Sequence, residues 1–403
     1  MITGDQEKVR KINKSIVMNT LRLHAPISRA RVANLTGLNR GTVSNIVNAL
    51  IDEGLVSENE SEDGKVGRPG ISLRLRPDGG AVVGIEIDVD LITIVLTNFA
   101  AETLWESNVE INPSDSQTSI IRQAELLVDQ ALSIASEKQL RPLGIGVALP
   151  GLINLRRGDL TIAPNLNWKD VPFRLMWNQR FRLPIFVENE ANLAALGEYY
   201  FGVARGCENF IYLSSGIGLG GGLMFSGKLF RGGFGYAGEI GHIQRDPLGE
   251  KCSCGRIGCW ETQVGPRAVL RKVKKELQLH PDRSLLDACH GDLDILTFKM
   301  VVKFALEGNQ TCRQAIEDVA RYLGEGIADM VNVFNPELVV IGGEFIQGKD
   351  ILQPIIEKTI FSSALQPSTD GLRIAFSERG ANAGAFGAIA IVLDDILREM
   401  TLT

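Results

Sequence analysis

The segment from Gly238 to Glu261, GEIGHIQRDPLGEKCSCGRIGCWE, constrains the fold more than any other part of the chain, because it sets His242, Cys252, Cys254 and Cys259 within eighteen residues. Three thiolates and one imidazole are the donors that zinc accepts in a closed tetrahedral site, and Gly255 and Gly258 let so short a loop fold back until all four converge. The spacing H-x9-C-x-C-x4-C is not that of a nucleic-acid finger, and Asp246 and Glu250 in the same loop oppose a phosphate-binding role. A bound structural zinc is the expectation. The competing readings are unrelated buried cysteines or a disulfide.

A chain of 403 residues exceeds one ordinary core, so two or three domains are expected. Its 44% hydrophobic and 22% charged residues are those of a soluble globular protein. The start, MITGDQEKVRKINK, is polar where a signal peptide would turn apolar, and no apolar run is long enough to span a bilayer. A cytoplasmic protein without membrane contact follows. In that reducing compartment Cys207, Cys289 and Cys312 read as ordinary partly buried thiols.

Charge divides the chain unevenly. Residues 1–76 carry 12 Lys/Arg against 8 Asp/Glu, net +4, and the remainder carries 30 against 40, net −10, for −6 in all. A basic head on an acidic body suggests that the head meets a polyanion. In that head Ile12, Ile16, Val17 and Leu21 mark one amphipathic helix, and Ser28 caps a short second one holding Val32 and Leu35. Thr36-Gly37 supplies a tight turn, and a third helix begins at Asn39. Its Val43, Ile46, Val47, Leu50 and Ile51 fall on one face, and Gly54 ends it. This is a helix-turn-helix whose third helix would enter the DNA major groove with Arg40, Thr42, Ser44 and Asn45 near its N-terminal end. Asn48 reads equally as a base contact or as part of a solvated face. Leu55-Val56 and the alternating Ile71–Leu75 read as two strands around an acidic loop, which completes a winged helix. Arg68, held between Gly67 and Pro69, suits insertion into a narrow A/T-rich minor groove, the alternative being a solvated linker.

From Ala81 onward strands and helices alternate. AVVGIEID and LITIVLT form an antiparallel pair, a helix runs from about Ser116 to Lys138, and LGIGVALPG and PIFVENE are further strands. NFIYLSSGIGLGGGLMF is strand, Gly-rich turn and strand. Cys312 to Phe334 is helical, LVVIGGEF a buried strand, LRIAFS a strand and Ala383 to Arg398 a closing helix. Two α/β lobes with a ligand cleft between them follow. The turn SGIGLGGGL serves equally as a phosphate cradle or as a hairpin with close backbone packing.

The motifs VENEAN, SSGIGLGGG, AGEIGH, CSCGRIGCWE and VVIGGEF, in this order behind a winged helix, resemble the ROK family of repressors, open reading frames and sugar kinases. The resemblance spans essentially the whole chain and points to the repressor branch, similar to xylose and N-acetylglucosamine repressors. It implies an α/β fold, an N-terminal winged helix-turn-helix followed by a two-lobed actin/hexokinase-type body. The expected division is 1–76 for the head, 80–188 for the first lobe, completed by the C-terminal helix 382–403, and 189–381 for the second lobe with its zinc loop. In the sugar kinases of this family the strand-end motif supplies a sugar-binding Asn and a catalytic Asp, here Asn189 and Glu190. The GEIGH motif implies Glu239 and His242 as sugar ligands, the same His coordinating zinc, and the Glu after the last zinc cysteine is Glu261. Gly151 and Asn165 are further contacts. Carboxylates, an amide and an imidazole suit the hydroxyl donors and acceptors around a sugar ring.

Two departures separate this chain from the family's kinases. Where they carry a D-x-G-G-T phosphate turn, this sequence has Asp88-Val89-Asp90, whose carboxylates would repel ATP phosphates. The base is one methylene longer, and a misplacement of that order costs around 100-fold when geometry is strict. The reading is therefore not an enzyme but a sugar-responsive repressor, binding double-stranded, inverted-repeat DNA as a homodimer or higher oligomer. An ATP-dependent kinase with a DNA-binding head, and a sensor of a protein partner with a vestigial pocket, are the alternatives.

Overall fold

The computed structural model describes residues 3–60, 71–112 and 114–399. The head comprises α1 (Thr3–His24), α2 (Arg29–Thr36) and α3 (Arg40–Asp52), then β1 (Val56–Glu60) paired antiparallel with β2 (Ile71–Leu75). Local chemistry sets the boundaries. The Ser28 side chain accepts from the Arg31 N–H to start α2, Gly37 ends it in the left-handed region at φ 70°, and Asn39 caps α3 by accepting from the Thr42 N–H at 2.7 Å. The buried face of α3 is Val43, Ile46, Val47 and Leu50, as its periodicity predicts. In α1, however, the buried apolar positions are Val17, Met18 and Leu21, whereas Ile12 and Ile16 are 51% and 38% exposed. Among its described side chains, those in the C-terminal turns of α1 meet a core, because there the helix packs on the body as well as on α2 and α3.

The body holds β3 (Ala81–Ile87), β4 (Leu91–Asn98), β5 (Thr103–Glu110), α4 (Gln117–Glu137), β6 (Pro142–Leu149), β7 (Leu152–Asn154), β8 (Asp159–Ala163), β9 (Trp168–Val171), α5 (Phe173–Phe181) and β10 (Ile185–Asn189). There follow α6 (Glu190–Phe201), β11 (Phe210–Ser215), β12 (Leu219–Phe225), β13 (Lys228–Leu229), α7 (Pro266–Leu279), α8 (Arg283–Ala288), α9 (Phe298–Leu306) and α10 (Gln310–Phe334). The chain closes with β14 (Leu338–Gly343), α11 (Lys349–Ser363), α12 (Gln366–Thr369), β15 (Arg373–Phe376) and α13 (Ala383–Glu399).

Two five-stranded sheets repeat one plan. In the first, β3, β4 and β5 form an antiparallel meander, and β6 and then β10 add in parallel on the other side of β3. In the second, β11, β12 and β13 form the meander, and β14 and β15 add in parallel beside β11. The near-continuous burial of β3, β4, β6 and β14 reflects cover on both faces of these sheets. A small antiparallel sheet, β7-β8-β9, lies between β6 and α5 in sequence.

Helix α13 lies directly on the first sheet because two strand residues lack side chains. A Cβ on Gly84 would sit 2.2 Å from the Ala385 carbonyl oxygen, and one on Gly146 2.1 Å from that of Ala388. Helix α6 packs on α13 with comparable closeness and contacts β11 and β12 on its other side. These two helices therefore join the two sheets. They also bring β10, whose last residue is Asn189, to the floor of the space between the sheets.

Candidate functional site

Between the two sheets lies a cleft of about 760 Å³. The structure brings together there every residue expected to touch a sugar: Gly151, Asn165, Asn189, Glu190, Glu239, His242 and Glu261. Asn189 ends β10 and caps α6, its amide oxygen accepting from the N–H groups of Ala191 at 2.9 Å and Asn192 at 3.1 Å. Its amide nitrogen donates to the Gly151 carbonyl at 3.1 Å and to Glu190 Oε2 at 2.8 Å. The neighbouring Glu188 is buried and fixes this corner, accepting from the Asn189 N–H, from Asn192 Nδ2 and from Arg231 Nε.

The Gly-rich turn resolves as a hairpin, since β11 and β12 pair directly across it. Its glycines serve close packing, a Cβ on Gly222 falling 2.4 Å from the Ala191 carbonyl oxygen, while Gly216 and Gly218 line the cleft.

A second hollow of about 530 Å³ adjoins the first and shares Glu86, Asp88, Ser214, Gly216 and Ile217 with it. Its walls add Asp90, Glu110 and Glu344. In the turn after β3, Asp88 Oδ1 accepts from the Val89 N–H at 2.7 Å, so a donor that a phosphate oxygen would need is taken by the chain's own carboxylate. Burial pushes the Glu190 carboxyl well above its usual range, aided by Asp88, and raises those of Glu344 and Glu239. Glu86 went unassigned from sequence, although a Glu in the strand AVVGIEI is itself a signal, since a buried carboxyl needs a reason. Trp168, Lys169 and Arg256 also line the cleft and were not foreseen.

These carboxyls make a pH prediction. Although Glu86 is partly exposed as a residue, its Oε2 is shut off from solvent, and burial followed by repulsion from Asp88 raises it from an ordinary 4.5 to about 8. Asp88 rises to about 6, again chiefly through burial. Between the unfolded value and the raised one the folded chain holds more protons than the unfolded chain, so stability is greatest at the acid side and falls as pH rises through about 8. Glu86→Gln, which still offers an oxygen to the N–H groups of Gly384 and Ala385, is expected to flatten this decline. Urea midpoints at pH 5 and pH 8 check it: the parent should lose stability across the interval and the variant should lose less.

The expected metal ligands His242, Cys252, Cys254 and Cys259 converge, with one donor atom from each lying within 4.8 Å of all the others. Cys254 Sγ and Cys259 Sγ are 3.7 Å apart, and Cys252 Sγ is 3.5 Å from His242 Nδ1. Tetrahedral zinc, with bonds of about 2.3 Å to sulfur and about 2.05 Å to nitrogen, requires roughly 3.8 Å and roughly 3.6 Å respectively. The donor set fits. Burial opposes ionisation at Cys254, yet the backbone N–H and guanidinium of Arg256 draw that thiol down to about 7. All six cysteines are free, and Cys207, Cys289 and Cys312 are buried away from this loop. The centre shares a wall with the cleft: Glu261 Oε1 lies 3.6 Å from His242 Nδ1, and Glu239 Oε2 lies 3.8 Å from His242 Nε2.

On the head, Arg40, Asn45 and Asn48 are exposed on α3, and Thr42 and Ser44 are part-exposed. Asn48 is not free to offer its full edge to a base, because its carbonyl accepts from Arg29 Nη2 at 2.8 Å. Arg29 also donates to the Ser44 carbonyl and to Glu58, tying α3 to α2 and β1. Arg68 lies outside the described residues.

The comparisons with known proteins agree with this construction. The ROK family profile matches residues 82–395, and that of the winged helix-turn-helix DNA-binding domain matches residues 12–57. The chain belongs to the ROK family, with a winged helix-turn-helix head on an actin/hexokinase-like body. It is 36% identical to the xylose repressor of Caldicellulosiruptor bescii, across 98% of both chains. It is 31% identical to the transcriptional dual regulator NagC of Escherichia coli, across 99% of this chain and 96% of that one. Among solved structures, a ROK family transcriptional regulator, a homologue of the E. coli MLC protein, superposes with a TM-score of 0.81 at 28% identity, covering 98% and 99% of the two chains. A ROK family glucokinase from Streptomyces griseus, in complex with glucose and AMPPNP, superposes at 0.70 with 30% identity over 77% of this chain and 99% of that one.

Proposed function

We propose that this chain is a transcriptional repressor released from its operator by a monosaccharide or a derivative of one. The observation that carries the reading is a DNA-binding head joined to a cleft that keeps its hydroxyl partners, while Asp88 occupies a backbone donor of the phosphate turn. The relatives that share both head and body over nearly their whole length are named repressors or transcriptional regulators, whereas the glucokinase matches the body. Asn189, Glu190, Glu239, His242 and Glu261 are assigned to the sugar, with Gly151 and Asn165 at the edge of the site. Arg40, Thr42, Ser44, Asn45 and Asn48, together with Arg68, are assigned to DNA.

Zinc held by His242, Cys252, Cys254 and Cys259 would supply no chemistry beyond clamping the loop. His242, Glu239 and Glu261 are then presented to the cleft from a fixed frame. The protein acts in the cytoplasm as a homodimer or larger assembly, on an inverted-repeat, A/T-rich operator. A sugar between the lobes favours a more closed body, and the spacing of the two heads no longer matches the half-sites. No helix among the described residues is long and apolar enough to cross a membrane.

The test is retardation of the DNA upstream of the chain's own gene, at one fixed salt concentration, against D-xylose, D-glucose and N-acetyl-D-glucosamine. Release by one of these sugars without ADP formation from ATP is the expected result. Sugar-dependent ADP production at an ordinary enzymatic rate of about 1 per second or more would instead establish the kinase reading.

A further inference from the structure

We infer that Arg22 and Tyr200 form the contact through which sugar occupancy of the cleft reaches the DNA-binding head, an inference that rests on the repressor reading above. Helix α6 begins in the cleft and ends at the head. Its first residue is Glu190 and its cap is Asn189, so a sugar hydroxyl that engages Asn189 competes with the bonds this side chain makes to Gly151 and Glu190. The rest of α6 has no slack. Ala191 through Tyr200 are all buried, and the helix spans 12 residues, a rod of roughly 18 Å. A Cβ on Gly387 of α13 would lie only 1.7 Å from the Leu193 carbonyl oxygen, so the two helices touch backbone to backbone. Displacement of the capped end must therefore be carried along the rod, since the packed interior does not absorb it.

At the far end three elements meet on one guanidinium. Arg22, in the last turn of α1, is only 7% exposed, and its guanidinium carbon lies 3.2 Å from the centroid of the Tyr200 ring. Arg22 Nη2 donates to Asp394 Oδ1 of α13 at 2.6 Å and Nη1 to the Ala390 carbonyl at 3.3 Å. The Tyr200 hydroxyl donates to the same Asp394 oxygen at 2.9 Å. Arg205, just beyond α6, donates from Nε to the Leu23 carbonyl of α1 at 2.9 Å. A second attachment of head to body is apolar, with Val17, Met18 and Leu21 sharing a core with Val82, Leu143, Ile389 and Val392. That core holds α1 to α13 and the first sheet and includes no residue of α6. The stacked guanidinium and the carboxylate shared with Tyr200 do reach α6, and they are directional, because hydrogen bonds weaken steeply with angle. Arg22 is thus a residue of the head placed to register where α6 stands.

Arg22 is a positioning residue on this account, and its test reads the coupling between the two ligands. The quantity is the ratio of operator dissociation constants with and without saturating sugar, measured on the full chain with D-xylose, D-glucose and N-acetyl-D-glucosamine in turn. Tyr200→Phe removes only the hydroxyl bonded to Asp394 and keeps the ring. Arg22→Lys keeps the charge and loses the planar fork. Both variants are expected to keep the parent's sugar affinity in the absence of DNA while their ratio shrinks about fivefold or more toward one, Arg22→Lys the further of the two. A merely structural role would lower the urea midpoint and leave the ratio intact. A folded Tyr200→Phe or Arg22→Lys protein with the parental ratio overturns the inference. A parent that shows no ratio with any of these sugars overturns the repressor reading, and this inference with it.

Discussion

Cys254→Ser is expected to purify without metal, where the parent carries about one zinc per chain. Structural zinc is held with an apparent free energy of about 10–16 kcal/mol in finger peptides, and the ligand a cysteine supplies is a thiolate, which serine cannot replace in kind. Between Glu239 and Thr262 the loop holds two short helical turns, Ile240–His242 and Trp260–Thr262, the isolated pairings Gln244 with Cys259 and Lys251 with Ile257, and further backbone bonds such as Trp260 N–H to the Ile243 carbonyl. Ile240 and Trp260 anchor its two ends in the core, while Cys252 and Cys254 lie on the turn between them. Without the ion, His242, Glu239 and Glu261 lose their common frame, so sugar affinity should fall with the metal, by about 10- to 100-fold as for lost outer-shell support. Operator affinity in the absence of sugar should survive, because α1, α2 and α3 contain none of these residues. Elemental analysis of freshly purified, reduced protein, paired with calorimetric sugar titration, checks both halves. A parent without zinc, or a serine variant that keeps it, contradicts the assignment.

Glu239→Ala is expected to behave as a repressor that sugar no longer releases. The carboxylate lines the cleft, and apart from the approach of His242 Nε2 at 3.8 Å no side-chain partner among the described residues holds it there. Its removal therefore costs the fold little and the sugar a charged hydrogen-bond partner worth about 1.5–3 kcal/mol, roughly 10- to 150-fold in affinity. At a sugar concentration that just releases the parent, the variant's cleft stays mostly empty and the operator stays bound. Arg40→Ala and Asn45→Ala should do the reverse, weakening operator binding while free-protein sugar affinity holds, since both residues are exposed on α3 of the head.

What the sequence disclosed, and what it withheld, follow from where periodicity survives. Helix α3 is half buried, so its apolar stripe and its Asn39 cap were both readable. The convergence of His242, Cys252, Cys254 and Cys259 was readable because three thiols and an imidazole at short spacing, separated by glycines, suit one tetrahedral shell. Helix α6 was invisible for the opposite reason, since a helix buried on every side has no polar face to set a period. The β7-β8-β9 sheet was missed because its short strands bury residues at irregular spacing, β9 burying only its two ends, Trp168 and Val171, so neither alternation nor an apolar run marks them. Ile12 and Ile16 were expected in the core on pattern alone, yet pattern cannot say where along a helix the neighbouring elements stop. Arg22 and Arg29 counted toward the net positive charge of the head, and no role was read for either. Their partners Asp394, Tyr200, Asn48 and Glu58 are set by tertiary packing, so their roles emerge only from the fold.

The central claim is that occupancy of the cleft and occupancy of the operator oppose one another in one molecule. Linkage makes this measurable from either side: if a sugar weakens operator binding by some factor, the operator must weaken binding of that sugar by the same factor. The direct measurement is the sugar dissociation constant of the parent, free and saturated with operator DNA, at one salt concentration, because the phosphate contribution to DNA binding varies steeply with salt. The expected result is weaker sugar binding to the complex by about 5- to 150-fold, matching the loss of operator affinity caused by the sugar. Equal sugar affinity in the free and DNA-bound protein would contradict the account.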